Sequence, residues 1–198
     1  MSRKINLVRP AYVVYKHKSI PEDFIADFGF QEDSRKNGRI YYRGTGAEPF
    51  LYCAEQGDDD VFGGAAFIVE SADDLDYAAE TLPNATNVHD LDTPGGGKCV
   101  TFFDPVDGFP FHLVHGQKTR DDVEAFPQRN FNFPTEKNRS GNKTQRFEKG
   151  PAPVHRLGHF GLCVTNYKAA YDFYTTRFNF KPSELVHNEE GVDITTFL

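Results

Sequence analysis

An internal repeat is the feature that most constrains the fold of this chain. A β-branched and aromatic run at residues 11–15 is followed by a short helical pattern and three strand-like segments, and the same order returns from residue 63. A third copy begins at residue 157. Its helix-to-strand junction, Phe178-Asn179-Phe180, is similar to Phe28-Gly29-Phe30 of the first copy. Such recurring strand and helix periods predict an α+β fold built from repeated βαβββ modules.

Each copy also carries a signal for the start of its helix. Ser19-Ile20-Pro21-Glu22 has the pattern of a capping box, and Ser71 and Asn166 each precede apolar residues at helical spacing. The third copy begins with a predicted strand, Leu157 to Val164, and the sequence ends at Leu198, inside the third strand of this module. We therefore predict two complete modules and one incomplete module.

Charge divides the chain into three stretches. Residues 1–116 carry ten basic and 19 acidic residues, whereas residues 117–153 carry eight basic and five acidic ones. The second stretch lacks apolar periodicity and is rich in Pro and Gly, which is typical of a linker. Its aromatic residues indicate that it packs on a folded surface: Phe126, Phe131, Phe133 and Phe147. We predict an N-terminal domain at 1–116, a basic linker at 117–153, and an incomplete domain at 154–198.

Composition excludes several classes of protein. A net charge of −7 disfavours nucleic acid and anionic membranes as partners, and no apolar run has the length of a membrane span. The N-terminus lacks the apolar core of a signal peptide, so we expect a cytoplasmic protein. The three cysteines, Cys53, Cys99 and Cys163, have no metal-binding spacing and are predicted to be buried and unpaired.

Two segments carry a resemblance to a known family: the predicted strand Leu157-Gly158-His159-Phe160-Gly161-Leu162-Cys163-Val164, and the turn and strand from Asp104 to Gly116. With the repeat that relates them, the sequence resembles the vicinal oxygen chelate (glyoxalase/bleomycin resistance/extradiol dioxygenase) superfamily. Within it, the chain is similar to two-domain type I extradiol dioxygenases, of the catechol 2,3-dioxygenase and 2,3-dihydroxybiphenyl dioxygenase type, especially their fungal relatives. The resemblance covers nearly all of the chain and implies an oxidoreductase of aromatic catabolism.

The resemblance also implies a metal site. Family members hold Fe(II) in the C-terminal domain through two His and one Glu, which leave room for a catechol-like substrate and O₂. The first ligand matches His159, which precedes a helix containing Phe173-Tyr174. The other two ligands and the proton-transfer residues belong to a module absent from this chain, so no catalytic residue is assigned. We expect the chain as given to bind Fe(II) weakly and to lack ring-cleaving activity.

Other candidate ligands have structural interpretations. His112 stands where a metal-binding module would have Glu, but the positions near Ala11 and Phe62 to Gly64 offer no ligands, so His112 and His115 are predicted to be structural. His155 and His187 are interpreted as solvated loop or strand-edge residues, and His159, if the resemblance is set aside, as a core or strand-edge histidine. The acidic run at 58–60 and the glycine-rich loop at 94–98 lack the spacing of calcium and phosphate sites.

Three functions remain open at this point. The first is a truncated extradiol dioxygenase-like protein, the second is a glyoxalase-like isomerase or lyase, and the third is a non-catalytic small-molecule-binding protein of the same fold. A nucleic-acid-binding role for the basic linker is disfavoured by the acidic remainder of the chain. Because the incomplete C-terminal sheet should expose an unpaired edge, we also expect a tendency to form a homo-oligomer.

Overall fold

One mixed sheet of eight strands dominates the computed structural model, which describes residues 3–123 and 149–198. Its strands come from two consecutive modules. Module 1 contains β1 (Leu7–His17), α1 (Glu22–Asp27), β2 (Gln31–Lys36), β3 (Arg39–Arg43) and β4 (Tyr52–Gln56). Module 2 contains β5 (Val61–Val69), α2 (Ala72–Thr81), β6 (His89–Asp90), β7 (Lys98–Phe103) and β8 (Pro110–His115).

The two modules are joined through their first strands. The strand order is β2-β3-β4-β1-β5-β8-β7-β6, in which β1 lies parallel to β4 and β5 lies parallel to β8. Between the modules β1 and β5 are antiparallel, with Val13 opposite Ala65 and Val14 opposite Gly64. The chain therefore has the predicted α+β fold of paired βαβββ modules.

Alternation along the strands separates two faces of this sheet. On one face, Leu75 and Ala78 of α2 pack against Val100 and Leu113. On the other, Tyr41 of β3 and Cys99 of β7 belong to one buried cluster.

The two ends of the eight-stranded sheet approach each other. Asn37, in the turn between β2 and β3, donates a hydrogen bond at 3.2 Å to Asp92, which lies just after β6. Because β2 and β6 are the two edge strands of the sheet, this contact shows that the sheet curls on itself. The second face therefore lines the interior of a cup.

Module 3, which we define as residues 157–198, packs against the helix-bearing face of module 2. It contains α3 (Tyr167–Arg177), β9 (Glu184–His187) and β10 (Asp193–Phe197), and its two strands form a separate antiparallel hairpin. Phe178 is only 2% exposed and joins the core of module 2. The hairpin itself remains open to solvent and exposes several apolar side chains: Leu185, Val186, Val192, Ile194 and Phe197.

The predicted strand at 157–164 is absent, because these residues form no ladder in the structure. In module 1 the first strand lies between β4 of its own module and the first strand of module 2. Residues 157–164, the corresponding segment of module 3, have no neighbouring strand on either side among the described residues. An extended segment becomes a strand only when its backbone groups find partners, so the segment runs along the surface of module 2 without pairing.

The helix starts are partly as predicted. Ser71 accepts a hydrogen bond from the Asp74 amide at 3.2 Å, and Asn166 accepts one from the Ala169 amide at 3.1 Å, so both predicted N-caps are confirmed. The prediction for Ser19 is wrong, because the N-cap of α1 is Pro21 and no side chain caps this helix. Helix α1 begins at Glu22, which places Ser19 two positions before the N-cap, too early for its hydroxyl to cap the helix.

Both described ends of the predicted linker contact the sheet domain, the name used below for modules 1 and 2 with their common eight-stranded sheet. The Lys118 amide donates to the Gly95 carbonyl at 2.9 Å, and the Ala152 amide donates to the Asp27 carbonyl at 2.8 Å. The predicted surface contacts of Phe126, Phe131, Phe133 and Phe147 lie outside the described residues, as do the linker arginines Arg129, Arg139 and Arg146. Within residues 3–123 and 149–198, no helix has the length and apolar character that crossing a membrane requires.

Candidate functional site

A cleft of about 780 Å³ lies between module 3 and the sheet domain. Its walls are mostly apolar and aromatic, and they include Phe67 and Phe111 of module 2 and Tyr171 and Tyr174 of α3. His159 also lines the cleft. A largely apolar cavity with few polar groups is the usual form of a small-molecule site, and this cleft contains the one metal ligand that the sequence predicts.

The segment that carries His159 keeps the alternation of a strand. Phe160 and Leu162 pack against the core of module 2, and the Phe160 ring lies 5.8 Å from that of Phe62 and 5.9 Å from that of Phe111. His159, Gly161 and Cys163, which alternate with these two residues, are exposed. Cys163 is therefore not buried as predicted, since it shares the open face with His159.

The His159 ring faces the hairpin of module 3. Its centroid lies 6.4 Å from that of Phe197 on β10. Because His159 is exposed, its imidazole can bind a small molecule by a hydrogen bond or coordinate a metal without rearrangement of a packed core.

A buried hydrogen bond aligns module 3 with the sheet domain. The Tyr174 hydroxyl donates to Oδ2 of Asp104 at 2.7 Å, while Oδ1 accepts from the amides of Val106 and Asp107 at 2.9 and 2.6 Å. Asp104 is only 2% exposed. Burial raises the pKa of Tyr174, and the bond to Asp104 raises it further, so the hydroxyl stays protonated as the donor.

Two further contacts fix the ends of α3. The Asp107 carboxylate accepts from the Thr165 amide at 3.1 Å, immediately before the N-cap of the helix. Beyond the last turn, the Asn179 side chain accepts from the Leu7 amide at 2.9 Å and donates to the Leu7 carbonyl at 3.0 Å. The Asp104 turn and the Asn179 junction are visible in the sequence, but no local pattern indicates that they meet module 3 and the N-terminus.

The cup of the sheet domain is occupied by His112. Its Nε2 lies 3.1 Å from the Gly63 carbonyl, and its Nδ1 lies 2.8 Å from Thr101 Oγ1. Burial lowers the pKa of His112, so the ring is neutral at pH 7. Because a carbonyl only accepts, Nε2 carries the proton and Nδ1 accepts from the Thr101 hydroxyl. Neither nitrogen is left for a metal, which agrees with the structural role predicted for His112.

Gly64 makes room for this imidazole. A Cβ at Gly64 would lie 2.4 Å from His112 Nε2, and its φ of +125° is unfavourable for other residues. The segment Phe62 to Gly64, which has no metal-ligating side chain of its own, thus has its space filled by a histidine from the neighbouring strand.

The remaining candidates have local partners or simple surface positions. Nδ1 of His115 lies 3.4 Å from the Val69 carbonyl, and His187 is exposed on β9 opposite Asp193. His155 packs beside Gly46, where an added Cβ would lie 3.2 Å from the His155 ring.

The acidic run and the glycine-rich loop also have local partners. Asp60 accepts a hydrogen bond from the Lys18 amide at 3.2 Å, and Lys98 forms an ion pair with Asp90 at 2.9 Å.

These donors do not make a complete metal site. Within the described ranges, 3–123 and 149–198, no three His, Cys, Asp or Glu side chains come together in a way that could hold a metal ion. His159 supplies a single imidazole, whereas a facial iron site uses two imidazoles and a carboxylate. The described residues therefore do not fit the full iron site that the resemblance implies.

Comparison with known proteins supports the fold independently. Residues 156–198 match the model of the Glyoxalase/Bleomycin resistance protein/Dioxygenase superfamily. No curated protein matches the chain. The matched segment is the one that contains His159 and α3.

Solved structures extend the similarity to the whole chain. A substrate complex of homoprotocatechuate 2,3-dioxygenase from Brevibacterium fuscum, with 3,4-dihydroxyphenylacetate, has a TM-score of 0.74 at 17% identity, over 100% of this chain and 58% of that one. Another structure of an extradiol ring-cleaving dioxygenase from the same organism gives 0.73 at 16% identity, over 100% and 51%. The Mn(II)-bound glyoxalase from Novosphingobium aromaticivorans gives 0.55 at 23% identity, over 62% and 44%.

These similarities show that the chain has the vicinal oxygen chelate fold. The chain spans about half the length of the solved structures that it matches.

Proposed function

We propose that this chain is part of an extradiol dioxygenase-like protein in which His159 is the first ligand of an Fe(II) site for a catechol-type substrate. The observation that carries the proposal is the position of His159, on the exposed face of a segment that matches the superfamily and lines an apolar cleft. Similarity to the Brevibacterium fuscum dioxygenases over the whole chain supports the same class.

The two complete modules act as a scaffold in this proposal. Both nitrogens of His112 are engaged inside their cup, so the sheet domain is a metal-free unit that orients module 3. The Asp104–Tyr174 bond and the contacts at both ends of α3 hold the preceding segment, and with it His159, against module 2.

The 198-residue chain by itself binds Fe(II) weakly and does not cleave catechols, because the described residues bring one of the three ligands of the expected iron site, His159, to the cleft. Oxygen uptake measured with added Fe(II) and 3,4-dihydroxyphenylacetate tests this point. We expect the rate to equal that of a His159→Ala variant. Catechol-dependent uptake by the wild-type chain would contradict the expected inactivity. Loss of that uptake in His159→Ala would support His159 as an Fe(II) ligand.

Metal binding tests the role of His159 directly. Anaerobic equilibrium dialysis should show that His159→Ala weakens Fe(II) binding by about tenfold, or ~1.4 kcal/mol. His187→Ala is the matched control, since His187 is also an exposed histidine of module 3 but lies on β9. Equal affinities of wild type and His159→Ala would refute the assignment.

A glyoxalase-like isomerase or lyase is the second candidate, supported by the similarity to the Mn(II)-bound glyoxalase. The reaction of an isomerase or lyase consumes no O₂, whereas that of a dioxygenase does. Metal-dependent conversion of a small-molecule substrate under anaerobic conditions would favour it, and binding of the substrate without conversion would favour a non-catalytic binding protein.

A further inference from the structure

Residues 151–155, which lead into module 3, lie across module 1 in a groove that three glycines line. Gly29 follows α1, whereas Gly44 and Gly46 lie in the connection between β3 and β4. A Cβ added at any of the three would lie no more than 2.5 Å from a backbone carbonyl oxygen of the segment. The oxygens concerned belong, in the same order, to Ala152, Val154 and His155. A side chain larger than hydrogen at these positions would therefore displace the segment from the groove.

Hydrogen bonds to the backbone hold the segment in this groove. The Ala152 amide donates to the Asp27 carbonyl at 2.8 Å. Thr45 donates to the Val154 carbonyl twice, from its amide at 2.9 Å and from its hydroxyl at 3.2 Å. Because these contacts involve main-chain groups of the segment, the groove recognises an extended backbone rather than particular side chains. We name five residues of module 1 the anchor groove: Asp27, Gly29, Gly44, Thr45 and Gly46.

Two prolines prepare the segment for this groove. Pro151 and Pro153 have their own φ fixed by the ring, and each restricts the residue before it to extended conformations. Both prolines are exposed, so they contribute through the backbone and not by packing. A segment that is extended before it docks loses less conformational entropy on docking. Grooves that bind proline-rich segments of other proteins use the same advantage.

We propose that module 1 sets the position of the first segment of module 3, residues 157–164, by holding residues 151–155 in the anchor groove. The other end of the first segment is held where the Asp107 carboxylate accepts from the Thr165 amide. His159 lies four residues after His155, so the anchor keeps it within about 13 Å of the groove, at a rise of about 3.3 Å per residue. The anchor needs no metal, and it therefore does not depend on the proposed role of His159.

Cleavage by trypsin under native conditions tests the anchor. Arg156 is exposed and lies one residue beyond the segment in the groove, so a docked segment cannot adapt to the protease. Gly46→Ala is the sharpest variant, because the three atoms nearest to an added Cβ all belong to His155 and no positive φ is needed. We expect it to raise the rate of cleavage after Arg156 by at least about tenfold, or ~1.4 kcal/mol in the opening equilibrium.

Gly150→Ala is the matched control, since it adds the same methyl group where nothing lies within 4 Å. Its rate of cleavage after Arg156 should equal that of wild type. Pro153→Gly removes a restriction from the segment without changing module 1, and it should also accelerate the cleavage, by about threefold or more. This variant keeps the test valid if Gly46→Ala perturbs the sheet. Equal rates in wild type, Gly46→Ala and Pro153→Gly would overturn the anchor.

Spin-label distances test whether the anchor positions module 3. Cys163 is exposed and the other two cysteines are buried, so nitroxides attach to Cys163 and to a second thiol introduced by Asp33→Cys on the exposed strand β2. Double electron–electron resonance of the metal-free protein should give one narrow distance distribution. Gly46→Ala should widen it at least about twofold, because a released segment samples more positions, and Gly150→Ala should leave it narrow.

Faster cleavage of Gly46→Ala with an unchanged distance distribution would show that the segment docks without positioning module 3, and would overturn the proposal. Both measurements are made without metal. A failure of His159 to bind Fe(II) would therefore contradict the proposed function and leave the expected cleavage rates and distances as they are.

Discussion

At Gly64 the backbone adopts a conformation that glycine tolerates and other residues rarely do. The missing side chain also leaves space for the His112 imidazole, which a Cβ would approach to 2.4 Å. Gly64→Ala should therefore destabilise the chain by about 2–3 kcal/mol, through backbone strain and displacement of a buried, doubly hydrogen-bonded ring. Urea unfolding followed by circular dichroism measures the loss as a lower midpoint.

Gly161→Ala is the control for this residue, because a Cβ there is unobstructed and no positive φ is needed. Its stability should stay within about 0.5 kcal/mol of wild type. Equal losses of unfolding free energy in Gly64→Ala and Gly161→Ala would show that the close approach of residue 64 to His112 does not affect stability.

At the scale of elements, α3 depends on a bond that crosses from module 3 to the turn after β7. Tyr174→Phe removes the hydroxyl that donates to Oδ2 of the buried Asp104. Because this carboxylate oxygen then lacks its donor, we expect a loss of about 1.5–3 kcal/mol. The midpoint of urea unfolding, monitored by the helical signal, is the readout.

Tyr171→Phe on the same helix provides the comparison. Its ring stacks on Tyr167 with centroids 6.0 Å apart, and its hydroxyl makes no hydrogen bond to the residues that the structure describes. That variant should be nearly neutral. A Tyr174→Phe protein as stable as Tyr171→Phe would mean that the Asp104 bond does not hold module 3 in place.

At the scale of the whole molecule, stability should be unevenly distributed. Strands β7 and β8 lie inside a sheet with buried residues on both faces, whereas all four residues of β9 are exposed. Backbone amides of β9 and β10 should therefore exchange at least about a hundredfold faster than those of β7 and β8. Hydrogen exchange with mass spectrometry resolves these segments, and equal protection in a monomeric sample would contradict the exposed position of the hairpin.

Features that depend on neighbouring residues could be predicted from the sequence alone. Ser71 and Asn166 cap their helices through bonds to amides three residues ahead, and strand alternation separates the core-facing Phe160 from His159. The repeated order of elements was enough to predict paired modules, because apolar periodicity is visible without tertiary contacts. The same local information pointed to His159 through its family resemblance.

Contacts between groups that are distant in the sequence became visible only in the folded chain. The Tyr174–Asp104 bond joins residues 70 positions apart, and His112 fills the space at Gly64 from another strand. No local pattern encodes such pairings, because they depend on the register of strands and the curl of the sheet. For the same reason residues 157–164 have the alternation of a strand but form none: a strand requires a neighbour, and the described residues provide none at that place.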